Sequence, residues 1–301
     1  IYDPSAPKTS YDFGGIHLLD GSTHVVSVEN TYLLLGGEDD FPHGYYRLEV
    51  YACWGSAVYV VFDDLIANLN ATVLLNFSEH QDLWNKNISL IIQVADPCGN
   101  THVAEETIFV DAEAPTISIS GIQNNTVTCS RNINISWSTE DSYLDNVTVI
   151  VEGAAISVTT TNTSGTIQLR NLEDGVYIVI IIATDKVGNM AELRVVFEVD
   201  TAPPTLLFLD PPENTTWVRA GTHINISFYA YDPHLRMVTL EINGSEVYHY
   251  EGDNDTVRYS DMAYFGEDGA YILTLRASDS AGNYVEEVYR VYVDSAAPWI
   301  T

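Results

Sequence analysis

One pattern occurs three times in this chain and sets what the chain can fold into. Asp185-Lys186-Val187-Gly188-Asn189 leads through Glu198 and Val199 to Asp200, and on to Pro204. Asp96-Pro97-Cys98-Gly99-Asn100 leads in the same way to Asp111 and Pro115, and Asp279-Ser280-Ala281-Gly282-Asn283 to Asp294 and Pro298. In each copy the two aspartates stand 15 residues apart, with a proline four residues after the second. Spacing held this constant is an internal repeat, with periods of 89 and 94 residues. Asp3-Pro4-Ser5-Ala6-Pro7 repeats the linker half alone at the start.

Dividing 301 residues by that period predicts three domains, each large enough for its own core. Residues 1–111 form an enlarged, irregular first domain, 112–200 a second and 201–294 a third, with 295–301 a linker and the opening of a strand. Val, Ile, Thr and Tyr are abundant, and turn residues interrupt them about every 8 to 12 positions, the pattern of an all-β protein. A net charge of −30 excludes the basic face that a nucleic-acid binder needs. No apolar run approaches the roughly 18 residues of a membrane span. The chain opens at Ile1 without an apolar leader and reads as a mature product whose signal peptide, if any, has gone.

Within the domains, Ile133, Ile135 and Trp137 alternate with Asn134 and Ser136, so one set faces a core and the other faces solvent. Ile224, Ile226 and Phe228 alternate with Asn225 and Ser227 in the same way. In the first domain, Thr31–Asp40 reads as a main strand ending in an acidic loop. The segment Pro42-His43 to Leu48-Glu49-Val50 matches Pro233-His234 to Leu240-Glu241-Ile242. Tyr177 and Tyr271 follow Glu-Asp-Gly turns and stand eight residues before Asp185 and Asp279; Ile88 holds that place in the first domain.

The Asp-x-x-Gly-Asn turns and Val-Asp-x-x-Ala-Pro-like linkers resemble the immunoglobulin-like modules of bacterial and archaeal surface proteins, among them adhesins, S-layer proteins and extracellular filament subunits. The resemblance is good over residues 90–301 and loose over 1–89. It implies three tandem immunoglobulin-like β-sandwich domains, with Tyr177 and Tyr271 as the tyrosines that tie the penultimate strand to the preceding corner. The Cys…Trp…Cys core of antibody domains is missing, so Trp137 is expected to be an ordinary core residue.

In such a sandwich the two loops at the entry end lie beside the incoming linker. That places Asp200, Asp232 and Asp279 at one joint and Asp111, Asp141 and Asp185 at another. Asp3, Asp39 and Asp96 take the same places at the head, and Asp294 at the tail. Three carboxylates with nearby carbonyls suit Ca²⁺, and the resemblance implies calcium there. The competing reading is that each aspartate merely caps its own turn through an Asx hydrogen bond.

Asn-x-Ser/Thr sequons occur at Asn70, Asn76, Asn87, Asn124, Asn134, Asn146, Asn162, Asn214, Asn225, Asn243 and Asn254, eleven in all against the roughly three or four expected by chance. They predict N-linked glycans and an extracellular, cell-surface location. Cys53, Cys98 and Cys129 are too few and too scattered for a disulfide framework. Cys53 is expected at the far end of its strand from Cys98, so no bridge within the chain is expected. No nucleophile, metalloprotease or phosphate-loop motif is present, the eight histidines lack ligand spacing, and no catalytic residues are assigned.

These readings converge on a non-enzymatic structural subunit of a glycosylated extracellular filament or S-layer, archaeal in style because sequons are dense and disulfides lacking. Matching linkers at the two ends suggest head-to-tail homopolymers, with Trp299, Ile300 and Thr301 added to a sheet edge of the next subunit. Two alternatives stand beside this: an adhesin fragment of a longer repeat protein, and ancillary modules of an exported hydrolase.

Overall fold

The protein is described from a computed structural model over residues 8–14, 17–19, 23–29, 31–38, 45–211 and 214–297. Asp3, Asp39, the Ala6-Pro7 linker, His43 and the segment Trp299-Ile300-Thr301 lie outside the described residues.

The first domain contains β1 (Lys8–Gly14), β2 (His17–Leu19), β3 (Thr23–Ser27), β4 (Thr31–Glu38), β5 (Tyr46–Trp54), β6 (Ala57–Ile66), β7 (Ala71–Leu75), β8 (Lys86–Ala95) and β9 (Thr101–Asp111). Here β1-β4-β7 form one sheet and β2-β3-β9-β8-β5-β6 the other. The second contains β10 (Thr116–Ser120), β11 (Thr126–Thr128), β12 (Ile133–Glu140), β13 (Leu144–Glu152), β14 (Ile156–Thr160), β15 (Ser164–Leu169), β16 (Gly175–Asp185) and β17 (Met190–Val199). The third repeats that order with β18 (Thr205–Asp210), β19 (Thr215–Val218), β20 (Thr222–Tyr231), β21 (Leu235–Ile242), β22 (Ser245–Glu251), β23 (Thr256–Phe265), β24 (Gly269–Asp279) and β25 (Tyr284–Val293). Sheets β10-β12-β15 and β11-β17-β16-β13-β14 have direct counterparts in β18-β20-β23 and β19-β25-β24-β21-β22. In each domain a short strand lies parallel to the last one, β3 on β9, β11 on β17 and β19 on β25. The chain is all-β, three immunoglobulin-like sandwiches in tandem.

Alternation builds the cores. Tyr177, Val179, Ile181 and Ala183 of β16 point inward toward Ile133, Ile135 and Trp137 of β12, and all seven are buried. Trp137 lies over Gly165, where an added Cβ would stand 2.8 Å from the indole. The turns after β8, β16 and β24 need a residue at positive φ, and Gly99 (89°), Gly188 (99°) and Gly282 (97°) provide it. The tyrosine hydroxyls close the corners, Tyr177 donating to Glu173 O at 2.9 Å and Tyr271 to Glu267 O at 3.3 Å. The first domain has buried Ile88 at that position. Its corner is instead a 3₁₀ turn at Gln81–Leu83, closed by the Trp84 indole donating to Phe77 O at 3.0 Å.

Two expectations change. Leu48 pairs with Val94 and Val238 with Ala277, each two residues before the turn aspartate, so Leu48 corresponds to Val238 and not to Leu240. The slip is two residues, so the same side chains still face the core. On β20, Ser227 does not face solvent. A register shift between Phe208 and Asp210 brings Asp210 over it, and Ser227 Oγ donates to Asp210 Oδ2 at 3.0 Å. Cys53 pairs with Ser89 at the far end of β8 from the turn that carries Cys98, and all three cysteines are free thiols.

Candidate functional site at the domain joints

The repeated turn is built around its first aspartate. Asp185 Oδ1 accepts from the backbone N–H groups of Val187, Gly188 and Asn189 at 2.7–2.9 Å, and Asp185 Oδ2 from the Asn189 side chain at 2.8 Å. Asp96 and Asp279 act similarly with two backbone donors each, Cys98 and Asn100 in the first turn and Gly282 and Asn283 in the third, plus the Asn100 or Asn283 side chain, and all three aspartates are buried. Three or four donors on each carboxylate satisfy its oxygens inside the fold and close the turn around it. The turn-capping reading therefore describes these three aspartates well.

The asparagine that closes the turn also grips the incoming linker. Asn189 Nδ2 reaches Asp111 O at 3.4 Å and Glu113 O at 3.1 Å; Asn283 Nδ2 reaches Asp200 O at 2.9 Å and Ala202 O at 3.2 Å. Sequence reasoning assigned this role to aspartates alone, although Gly-Asn recurs in all three copies and was the available signal. At the second joint the backbones also meet, Cys129 N–H donating to Ala281 O at 3.1 Å.

The other aspartates converge on these turns. Asp111 and Asp200 each accept from the N–H two residues on, Glu113 at 3.1 Å and Ala202 at 3.0 Å. Asp141 and Asp232 do so in the loops before β13 and β21, from Tyr143 at 2.6 Å and His234 at 2.7 Å. Those loops are tied to the repeated turns by Lys186 N–H to Tyr143 O and Ser280 N–H to His234 O, both 2.9 Å. The expected trio of Asp200, Asp232 and Asp279 is brought together, with ligand oxygens within 4.8 Å of one another. Among the described residues, Asp111, Asp141 and Asp185 do not close to that spacing. Asp96 has its turn, but its expected companions Asp3 and Asp39 are not described.

Burial and mutual repulsion act on these carboxyls. Burial raises Asp111 to about 6, opposed by the Glu113 N–H and reinforced by Asp185, Asp141 and Glu113. Asp141 and Asp232 are also raised, first by burial; Asp185 and Glu113 add to the first, Asp200 and Asp279 to the second. The second oxygens of Asp200 and Asp232 have no hydrogen-bond donor among the described residues. A hard cation with a preference for oxygen fits such a set, and Asp200, Asp232 and Asp279 are the residues that would hold it.

The linkers are also anchored where they leave each domain. Thr201 Oγ1 donates to Asp174 at 2.9 Å, and Ser295 N–H and Oγ donate to Asp268 at 3.0 and 2.6 Å. In the first domain Asn85 does this work, accepting from Ala112 N–H at 2.9 Å and donating to Glu113 at 3.0 Å. One further contact spans each joint. Phe109 lies against Tyr143 with ring centroids 5.4 Å apart, and Glu198 pairs with His234 at 3.2 Å.

The eleven sequons are spread over all three domains. Asn134 is exposed, but its counterpart Asn225 is engaged, donating to Asp210 Oδ2 and accepting from Ser260 Oγ, both at 3.1 Å. Among the described residues no helix is long and apolar enough to cross a membrane.

Residues 112–201, the second domain, match the family model of a bacterial Ig-like domain. No curated protein is similar to the chain in sequence. Among solved structures, the three N-terminal domains of the bacteriophage RB49 highly immunogenic outer capsid protein are 12% identical, with a TM-score of 0.44 over 97% of this chain and 100% of that one. A structure of a 1.5-MDa bacterial ice-binding adhesin is 18% identical, with a TM-score of 0.34 over 96% of this chain and 99% of that one. A tetra-tandem repeat from the extending region of a large adhesion protein is also 18% identical, with a TM-score of 0.37 over 97% of this chain and 76% of that one.

Proposed function

We propose that this chain is a non-enzymatic structural subunit of a glycosylated extracellular filament or surface layer, archaeal in style, assembling head to tail with joints set by Ca²⁺. The observation that carries the reading is that both joints use the same parts: a linker anchored as it leaves one domain and gripped by an asparagine as it enters the next. Such duplication suits a rod with the same joint repeated along it better than a flexible tether, and a bound cation would complete each joint. Bound calcium would neutralise the clustered carboxylates and hold the two sides of a joint together. Asp200, Asp232 and Asp279 are its ligands, with Asp111, Asp141 and Asp185 the related set at the first joint. The eleven sequons support a glycosylated surface location, and the net charge of −30 supports a highly solvated one. Electron microscopy of the purified chain in Ca²⁺ tests the assembly. Fibres or sheets are the expected result; dispersed single particles at every concentration would count against it.

A further inference from the structure

The two joints share one more feature, and the first and third domains each carry one half of it. The residue two before the linker aspartate is Phe109 in the first domain, Glu198 in the second and Tyr292 in the third. Each pairs across the parallel ladder, with Val25, Val127 and Trp217 respectively. In the first two domains this residue meets the loop before the next domain's third main strand, Phe109 on Tyr143 and Glu198 on His234. In the third, Tyr292 stacks on Trp217 at 4.6 Å and 19°, and Trp217 is 67% exposed. A stacked, exposed aromatic pair at the exit end of a domain is an anchor of the kind that interfaces bury. The linker beside it is set as at an internal joint: Asp294 N–H donates to Val218 O as Asp200 N–H does to Thr128 O, both at 3.0 Å.

The opposite half is on the first domain. In β13 and β21 a bulge inserts Asp145 and Arg236, so that Leu144 and Leu235 pair with the turn aspartates Asp185 and Asp279. The pairing of β5 with β8 has no bulge, and buried Tyr46 takes the place of Leu235. Tyr45 therefore stands where Tyr143 and His234 stand, and it is 50% exposed. We infer that Tyr45 and the Trp217–Tyr292 pair are the two halves of a third joint, formed when the first domain of a second copy of this chain docks on the third domain of the first copy. It uses aromatic packing, the solution already present between Phe109 and Tyr143. The inference rests on the head-to-tail reading and names the surface through which it works.

Sedimentation of the 301-residue chain in Ca²⁺, across a concentration series, tests it. The unaltered chain should self-associate end to end. Trp217→Ser and Tyr45→Ser should each weaken association about ten-fold or more, the loss typical of a central aromatic anchor. Tyr264→Ser, at a 62% exposed aromatic on the opposite sheet of the third domain, should leave association unchanged. Circular dichroism checks that each variant is folded, and because the two main substitutions lie in different domains, a folding defect in one leaves the other as the test. If the chain associates and both variants associate equally well, this surface is wrong while the head-to-tail reading stands. If the unaltered chain stays monomeric, both are wrong.

Discussion

Replacing Asp111 with Asn should stabilise the metal-free protein at neutral pH. Burial, with Asp185, Asp141 and Glu113 nearby, raises the Asp111 carboxyl from an ordinary 3.8 to about 6. A carboxyl whose folded value is raised binds its proton more tightly in the folded state. Between about pH 4 and pH 6 the folded protein therefore holds a proton that the unfolded chain has released, and stability falls as pH rises through that window. Two units at 1.36 kcal/mol each make the full cost about 2–3 kcal/mol by pH 7. Asparagine cannot ionise, yet its Oδ1 still accepts from the Glu113 N–H. In chelator at pH 7 the variant should therefore melt higher than the parent by roughly 10–20 °C, taking about 4–8 °C per kcal/mol for a domain of this size. At pH 4 the two should converge. Ca²⁺ should reverse the order, because the parent carboxylate gains a counter-charge and the amide does not. Thermal melts of both proteins at the two pH values, with chelator and with Ca²⁺, give all the differences. A variant less stable than its parent in chelator at pH 7, or a gap that does not close at pH 4, would refute the reasoning.

Asn283→Ala should cost about 1–3 kcal/mol in urea denaturation, because buried Asp279 Oδ2 loses its donor as the linker loses its grip; an unchanged midpoint would contradict the assigned role. Gly165→Val should displace Trp137 and cost about 1–3 kcal/mol through overpacking, read as a lower midpoint with a changed near-ultraviolet spectrum. Glycopeptide mapping should find Asn134 occupied and Asn225 occupied less, since Asp210 and Ser260 engage the second amide. Equal occupancy would show that these bonds do not shield it.

Much of this was legible in the chain because the repeats check one another. The constant spacing of Asp185 to Asp200 and its two counterparts located the turns and linkers, and alternation on β12 gave the core side of the sheet. The placement of Asp200, Asp232 and Asp279 at one joint followed from the sandwich layout and three matching loops. What escaped has physical reasons. The first domain's register slipped by two because sequence matching aligns the shared Pro-His pair, whereas Tyr45 stands at the His234 position; the one-residue bulge of β13 and β21 that β5 lacks leaves no mark in the hydrophobic pattern to correct it. Ser227 was placed in water because period-two reasoning takes each strand as bare, whereas Asp210 arrives from a neighbouring strand. The linker grip by Asn189 and Asn283 was missed because a Gly-Asn turn already has a local explanation in its backbone geometry. The strands β2 and β3, short and separated by turn residues, offered too little periodicity to be told apart.

The central claim is that carboxylates and a cation fix the angle at each joint. Small-angle scattering of the 301-residue chain at low concentration, in Ca²⁺ and again in chelator, measures that directly. With Ca²⁺ the distance distribution should be that of a single stiff rod of three domains. In chelator the clustered aspartates repel one another, so the distribution should broaden and its cross-section signature should blur. Identical curves in the two conditions would contradict the claim and leave the asparagine grip and linker anchors as the whole basis of the joint.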